Sequence, residues 1–408
     1  MDRFFGLDTL MSKFGLDKAK NFQAYANEIL SKVESQGEDF DGFVWDMAQI
    51  DFTYSQLETE SQIEVMASYV DLESPALPAG KQTKLFKLEG SIPRQKYTIV
   101  RGENDYRKQL ITLNEIQAVA SYTNTNASQS IREYLAKALF TDLSELVTSH
   151  KNSMNYQVGQ MKSKGALVLD DKNNPRGAIR TTFSAQIPAT NFITKNWWQV
   201  ESEVVSPIES AEPIKDLRDF LRELRWKPNG YENARVEMSV KTAYKLFSHP
   251  AVLTAFGYAT TPGLRYSAAN DKNAMVVGSN LSFEEQTALF QRLIEATEVR
   301  FNGTQCGVEK LNTETKHYER TLLPAFNEDV ILIRPMGNIG VIKNVAPMRP
   351  DGSAVSATIY GGRGLIEYLY NADTRTQTWR SELTALAVPT RPKDMYYFKL
   401  ENKVISGS

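Results

Sequence analysis

Side chains able to do chemistry are scarce and scattered. Three histidines, His150, His249 and His317, and one cysteine, Cys306, are the whole supply of imidazole and thiol in 408 residues. His150 falls late in a helical stretch, His249 directly precedes Pro250, and His317 sits in the charged run Lys316-His317-Tyr318-Glu319-Arg320. None has a second histidine at metal-ligand spacing, so three ordinary polar histidines is the simpler reading. The sequence holds no G-x-S-x-G nucleophile motif. Gly361-Gly362-Arg363-Gly364 lacks both the Gly-Lys-Ser/Thr ending of a phosphate loop and the G-x-G-x-x-G of a dinucleotide fold, and reads as a flexible loop. Asp170-Asp171-Lys172-Asn173-Asn174 has no glycine or glutamate where a calcium loop needs them, so it reads as a solvated turn. Asn280-Leu281-Ser282 and Asn302-Gly303-Thr304 match the glycosylation pattern only. The pair Trp197-Trp198 could cradle a sugar or a base, but such pairs more often pack at a junction of subdomains. No catalytic, cofactor-binding or metal residue is expected.

The elements around these residues are clearer than the chemistry. Residues 1–45 carry apolar points at Phe14, Leu16, Phe22, Tyr25, Ile29 and Leu30 in a polar background, enough for a surface helix but not a core. Thr83-Lys84-Leu85-Phe86-Lys87-Leu88 and Arg94-Gln95-Lys96-Tyr97-Thr98-Ile99-Val100 read as two strands of one hairpin around Glu89-Gly90-Ser91-Ile92-Pro93. That ribbon has little apolar anchorage, and a two-stranded ribbon is marginal alone. Its basic residues Lys84, Lys87, Arg94 and Lys96 are therefore expected to contact another subunit, for instance the carboxylates Glu133, Asp142 and Glu145. From Asn126, Ile131, Leu135, Leu139, Leu143 and Leu146 step by four, four, four and three, the buried stripe of a long helix ended by Lys164-Gly165.

Further on, strands are expected near Ala166–Leu169 and Ala178–Phe183. Pro213 opens a helix striped by Ile214, Leu217, Leu221 and Leu224. Ala234–Met238 reads as a strand, and Val240, Tyr244 and Phe247 as a short helix halted by Pro250. Ser282-Phe283-Glu284-Glu285 is a capping-box pattern, with Leu289, Phe290, Leu293 and Ile294 inward. Val330-Ile331-Leu332-Ile333 reads as a buried strand, and Thr376–Leu400 as strand broken at Pro389-Thr390-Arg391-Pro392.

Composition narrows the class. Hydrophobic residues make up 41% and charged residues 24%, near globular averages. Lys+Arg 47 against Asp+Glu 49 gives a net charge of −2, unlike a dedicated nucleic-acid binder. One cysteine excludes a disulfide framework and a multi-cysteine metal site. No stretch approaches the roughly 18–20 apolar residues that span a membrane. The start, Met1-Asp2-Arg3-Phe4-Phe5-Gly6-Leu7-Asp8, lacks the apolar region of a signal peptide, which suits a soluble protein made inside a cell.

Taken in order, several stretches resemble the major capsid protein of tailed bacteriophages, the Hong Kong 97-type fold, and within it the lambda-type branch. They are Leu88-Glu89-Gly90-Ser91-Ile92-Pro93, Gly165–Leu169 through Asn191-Phe192-Ile193-Thr194-Lys195-Asn196-Trp197-Trp198, Val236–Lys241 running to Leu246–Pro250, and Leu323–Leu332. The resemblance covers about residues 60–400. It implies an α+β fold with an N-terminal arm (1–68), an extended hairpin loop (69–110), a peripheral domain with a spine helix (111–195) and an α/β axial domain (196–345). A loop, a returning peripheral-domain strand and a C-terminal strand would fill 346–408. Residues 346–373 look longer and more glycine-rich than that branch requires, and the Lys and Asn of the cross-linking members find no match, so no cross-link is expected.

The function so implied is structural: hexamers and pentamers of one chain forming an icosahedral phage head around double-stranded DNA, with no enzyme activity. Expected partners are further copies of the chain, portal, scaffolding, decoration or head-closure proteins, and packaged DNA held without sequence preference; no membrane and no cofactor are implied. The location would be the virion, assembled in the bacterial cytoplasm. Two other classes stay open, an encapsulin-type compartment enclosing cargo enzymes and an uncharacterised soluble enzyme, which a bound cofactor or metal would favour.

Overall fold

The computed structural model describes residues 40–59, 85–122, 127–177, 179–201, 203–227, 230–261, 271–312, 314, 318–348, 356–360, 362–371 and 376–404. Strands β1 (Phe43–Trp45), β2 (Thr53–Thr59), β3 (Leu85–Ser91) and β4 (Arg94–Arg101) come first, then helices α1 (Glu103–Tyr122) and α2 (Ala127–Lys164). Next come β5 (Ala166–Val168), β6 (Thr182–Ser184), β7 (Phe192–Glu201) and β8 (Val204–Pro207). A helical stretch follows: α3 (Pro213–Trp226), β9 (Ala234–Ser239), α4 (Val240–Phe247), α5 (Pro250–Thr260), α6 (Lys272–Ser279) and α7 (Phe283–Ile294). The remainder is strand: β10 (Glu298–Asn302), β11 (Gln305–Leu311), β12 (Tyr318–Pro324), β13 (Val330–Pro335), β14 (Gly340–Asn344), β15 (Ser356–Tyr360), β16 (Gly364–Asn371), β17 (Thr376–Pro389) and β18 (Tyr396–Val404). The chain is α+β, as the sequence implied. The expected arm lies mostly outside the described residues.

The chain divides into two compact units. The first takes Met1–Tyr54, Ser91–Met154 and Ile342–Ala387; the second takes Ser55–Gly90, Asn155–Val341 and Val388–Ser408.

In the first unit the sheet runs β1-β14-β17-β16-β15, with β4 also paired to β17. Its core is Leu143, Leu146 and Val147 of α2 against Ile366, Tyr368 and Trp379, with Tyr97 and Ile99 packed beside them. Two of the five leucine and isoleucine positions expected to be buried, Leu143 and Leu146, are at 1% and 0% exposure. Ile131, Leu135 and Leu139 lie on the same helix, but their side chains fall outside the described residues.

The hairpin expected from Thr83–Leu88 and Arg94–Val100 does not form. β3 pairs with β2 in a two-stranded sheet, and β4 pairs with β17 from Arg101↔Gln377 to Arg94↔Thr384. Tyr97 and Ile99 decide this, because period-two alternation gives β4 an apolar face that the home core buries. The link between β3 and β4 is not an exposed turn: Ile92 is buried, and its N–H donates to Phe52 O at 2.7 Å. Helix α1 is a further difference, since its apolar residues give no strong stripe.

In the second unit a mixed six-stranded sheet runs β10-β9-β13-β18-β7-β8. β13, the expected apolar run, is buried along its whole length and lies antiparallel to both neighbours. Helix α3 buries Ile214, Leu217, Leu221 and Leu224 as its spacing requires, with Pro213 in its first turn. The capping box of α7 closes through Ser282 and Glu285, with Phe290 and Ile294 buried and Leu289 and Leu293 partly so. Pro250 does more than halt α4. It opens α5, because a proline's missing N–H costs nothing in a helix's first turn.

The end of α2 is locked to this unit by charge. Lys162 Nζ donates to Glu237 Oε2 at 3.1 Å, and Arg334 Nε donates to Glu237 Oε1 at 2.6 Å. Arg334 also donates to Pro335 O and Gly337 O at 3.1 and 3.0 Å. All three charged residues are at most 2% exposed. Gly159 allows the approach, for a Cβ there would stand 2.4 Å from Ala325 O. Gln160 Nε2 reaches that same oxygen at 2.9 Å, and Gly165, at φ +67, ends the helix.

Two outcomes are expected. Glu237→Ala leaves two buried cations without their carboxylate and should cost about 3–5 kcal/mol in urea unfolding, whereas Lys162→Met, which keeps the Glu237–Arg334 pair, should cost clearly less. His150 is 3% exposed, with its Nε2 2.9 Å from Ser381 Oγ, and burial lowers its pKa to about 4. The folded state thus binds fewer protons than the unfolded one between pH 6.5 and about 4. Stability from this group is complete above pH 6.5 and is lost as pH falls through that window, by ~3 kcal/mol in all. His150→Gln should flatten that part of the stability–pH curve; an unchanged slope would assign the protons elsewhere.

Candidate inter-subunit surfaces

The groups singled out for possible chemistry serve the fold. His249 Nδ1 accepts from Ala251 N at 3.3 Å and caps α5, while its Nε2 lies 3.3 Å from Trp197 O. With Nδ1 accepting, the proton belongs on Nε2, and burial holds the ring's pKa below its usual value. Burial pushes the Cys306 thiol up to about 11, away from thiolate reactivity. His317 lies outside the described residues. Trp197 and Trp198 are 1% and 3% exposed, packed edge-on to each other in the core rather than open as a platform. Asp170 closes its own turn by accepting from the backbone N–H groups of Asn173 and Lys172, which hold its carboxyl below the usual range. Gly362, at φ +67, makes the turn between β15 and β16. Among the described residues no group of three or more His, Cys, Asp or Glu is placed to hold a metal ion.

The basic residues proposed for subunit contact fall into two sets. Arg94 Nε and Lys96 Nζ stand 3.0 and 3.4 Å from the two oxygens of Glu382 on β17, so both have a partner in their own unit. Arg94 also lies over the Phe52 ring at 5.3 Å. Tyr97 donates to Glu145 at 2.9 Å, which engages one of the three carboxylates named with them. Lys87 is on β3, but its side chain, like all of Lys84 and the side chains of Glu133 and Asp142, lies outside the described residues.

What the molecule offers is surface that its own core does not use. Among the described residues, three ribbons, β2–β3, β5–β6 and β11–β12, are two-stranded with no third strand. On β11–β12, Leu322, Tyr318 and Leu311 are 70%, 54% and 42% exposed, and Arg176 bonds Glu309 while covering the Tyr318 ring at 4.7 Å. Met47, Tyr122 and Trp226 are each about nine-tenths exposed.

Hydrophobic periodicity reads the buried stripe of α3 and is silent on its charges. Arg218, Arg222 and Arg225 recur at i, i+4 and i+7 on one side of that stripe, and Arg222 and Arg225 both reach Glu295. On the other side, Asp216 accepts from Lys195 Nζ at 2.9 Å and from Trp197 Nε1 at 2.7 Å. A cleft of about 360 Å³ opens there, lined by Lys195, Glu212, Lys215, Asp216 and Asp219.

No protein-family model matches the sequence, and no curated protein does. Solved structures similar to the chain include the putative capsid protein of a prophage of E. coli CFT073, 13% identical, which covers 94% of this chain and 99% of that one at a TM-score of 0.44. The cyanophage P-SCSP1u capsid is 10% identical over 89% of this chain and 87% of that one, TM-score 0.42. The bacteriophage PhiM1 mature capsid is 11% identical over the same shares, TM-score 0.40.

Proposed function

We propose that this chain is a shell-building subunit, a major capsid protein that assembles as hexamers and pentamers into an icosahedral head around double-stranded DNA. The observation that carries this reading is the β2–β3 ribbon, two strands with no third strand paired to them among the described residues. A ribbon of that kind is marginal in water and gains its stability by lying on something else. Repeated copies supply that surface, and the ordered resemblance in sequence names the same architecture. Lys87, in β3, and Lys84, which precedes it in sequence, are proposed to contact a neighbouring copy, while Arg94 and Lys96 serve the home sheet through Glu382. The near-neutral charge of −2 suits a dense array of identical chains. Portal, scaffolding, decoration and head-closure proteins and the packaged DNA are proposed partners on the same basis, and the role is structural rather than enzymatic.

The test is assembly. The purified chain, alone and co-expressed with its neighbouring genes, should give closed shells by negative-stain microscopy and a fast boundary in sedimentation. A stable monomer under all of these conditions would sink the reading.

A further inference from the structure

The β11–β12 ribbon is fixed at its base and gripped farther out by Arg176. Its strands pair in register from Gln305↔Pro324 to Leu311↔Tyr318, and no third strand joins them among the described residues. Seven residues per strand make an arm about 24 Å long. At the base, Ala325 N donates to Thr304 O at 2.9 Å, and Cys306 is 3% exposed. Farther out the arm stands open, with every residue from Tyr318 to Leu322 exposed. Strand alternation puts Glu309 and Tyr318 on the face opposite Cys306. Arg176 lies on that opposite face, donating to Glu309 Oε2 while its guanidinium covers the Tyr318 ring. Arg320 takes the other oxygen of Glu309 at 3.1 Å, from within the ribbon.

The loop that carries Arg176 is stiff for reasons of its own. Asn173 Nδ2 donates to Val168 O at 2.7 Å and to Tyr156 Oη at 3.2 Å, which ties the loop to α2. Arg180 holds Asp171 Oδ1 through Nε and Nη2, at 2.8 and 2.6 Å. None of these bonds involves the ribbon, so the loop keeps Arg176 in place whether or not its grip is closed. All of these residues belong to the second unit.

We propose that Arg176 is a salt-sensitive clasp: closed, it holds the ribbon down, and released, it lets the ribbon lift about its base and open the packing around Cys306. The Arg176 side chain is 48% exposed, so added salt screens its pairing with Glu309. The buried Lys162–Glu237 pair is screened far less, so the core beneath stays shut in the same salt. The device belongs to the single chain and does not depend on the shell reading.

Cys306 is the only cysteine, so thiol labelling reads the motion directly. The purified chain is treated with a small maleimide at about 0.1 M and about 1 M NaCl. Each rate is divided by that of the urea-unfolded chain at the same salt. Labelling should be roughly three- to tenfold faster at the higher salt, the range an exposed ion pair and a cation–π contact allow. Arg176→Gln should label fast at both salts. Arg320→Gln removes only the pair inside the ribbon and should keep the wild-type salt response. Amide exchange in β9 and β13 should stay unchanged throughout, which marks a local opening. Should Arg176→Gln fail to fold, Glu309→Gln removes the other half of the clasp and should give the same flat response. Equal wild-type labelling at the two salts would overturn the clasp. So would a folded Arg176→Gln that behaves as wild type, or faster labelling that comes with faster exchange across β9 and β13.

Discussion

One carboxylate, Glu237, holds two buried cations, and much of the second unit depends on where they stand. Lys162 comes from the end of a 38-residue helix, Arg334 from the central strand β13, and Glu237 from β9 beside it. Taking charges out of water costs several kcal/mol per ion, so the cluster is tolerable only in a geometry that satisfies nearly every donor. That requirement makes it a locator more than a source of stability. A helix sliding by one residue would swing Lys162 about 100° around its axis and strand the charge. Gly159 and Gln160, both engaged with Ala325 O, fix the same register by contact and by hydrogen bond.

Both units use the two ends of α2 differently. Its N-terminal part supplies apolar residues, Leu143, Leu146 and Val147, to the core of the first unit. Its C-terminal part adds polar ones, Gln157, Gln160, Lys162 and Ser163, buried alongside Val158 and Met161. That end is therefore specified by hydrogen-bond and charge partners as well as by shape. His150, buried with Ser381, is a polar group within the apolar part and makes that region sensitive to acid.

Elements with strong local signals were legible in the sequence. The helix from 127 to 164, the stripe of α3, the capping box at Ser282 and the buried run Val330–Ile333 follow from periodicity and capping chemistry that act over a few residues. Strand pairing was not. Leu85–Ser91 and Arg94–Arg101 were each readable as strands, yet each one's partner is chosen by a stretch elsewhere, β2 for one and β17 for the other. A face such as Tyr97 and Ile99 states that a core exists without stating whose. The buried ions were hidden for a similar reason, since Lys162 and Arg334 stand 172 positions apart and look like ordinary surface residues until folding brings Glu237 between them. Pro250 misled in the opposite direction, because the same ring that ends one helix also starts another.

The place of β18 carries a consequence for folding. This strand lies in the interior of the six-stranded sheet, antiparallel to β13 on one side and parallel to β7 on the other. Residues 396–404 follow the other five strands of this sheet in the chain, and β7 and β8 have no bridge to β13 until β18 docks between them. Formation of the sheet thus waits on contacts between residues about two hundred positions apart, which slows folding through loop closure. Until β18 docks, the sheet is open at its middle, and β7 with β8 stays apart from β9, β10 and β13.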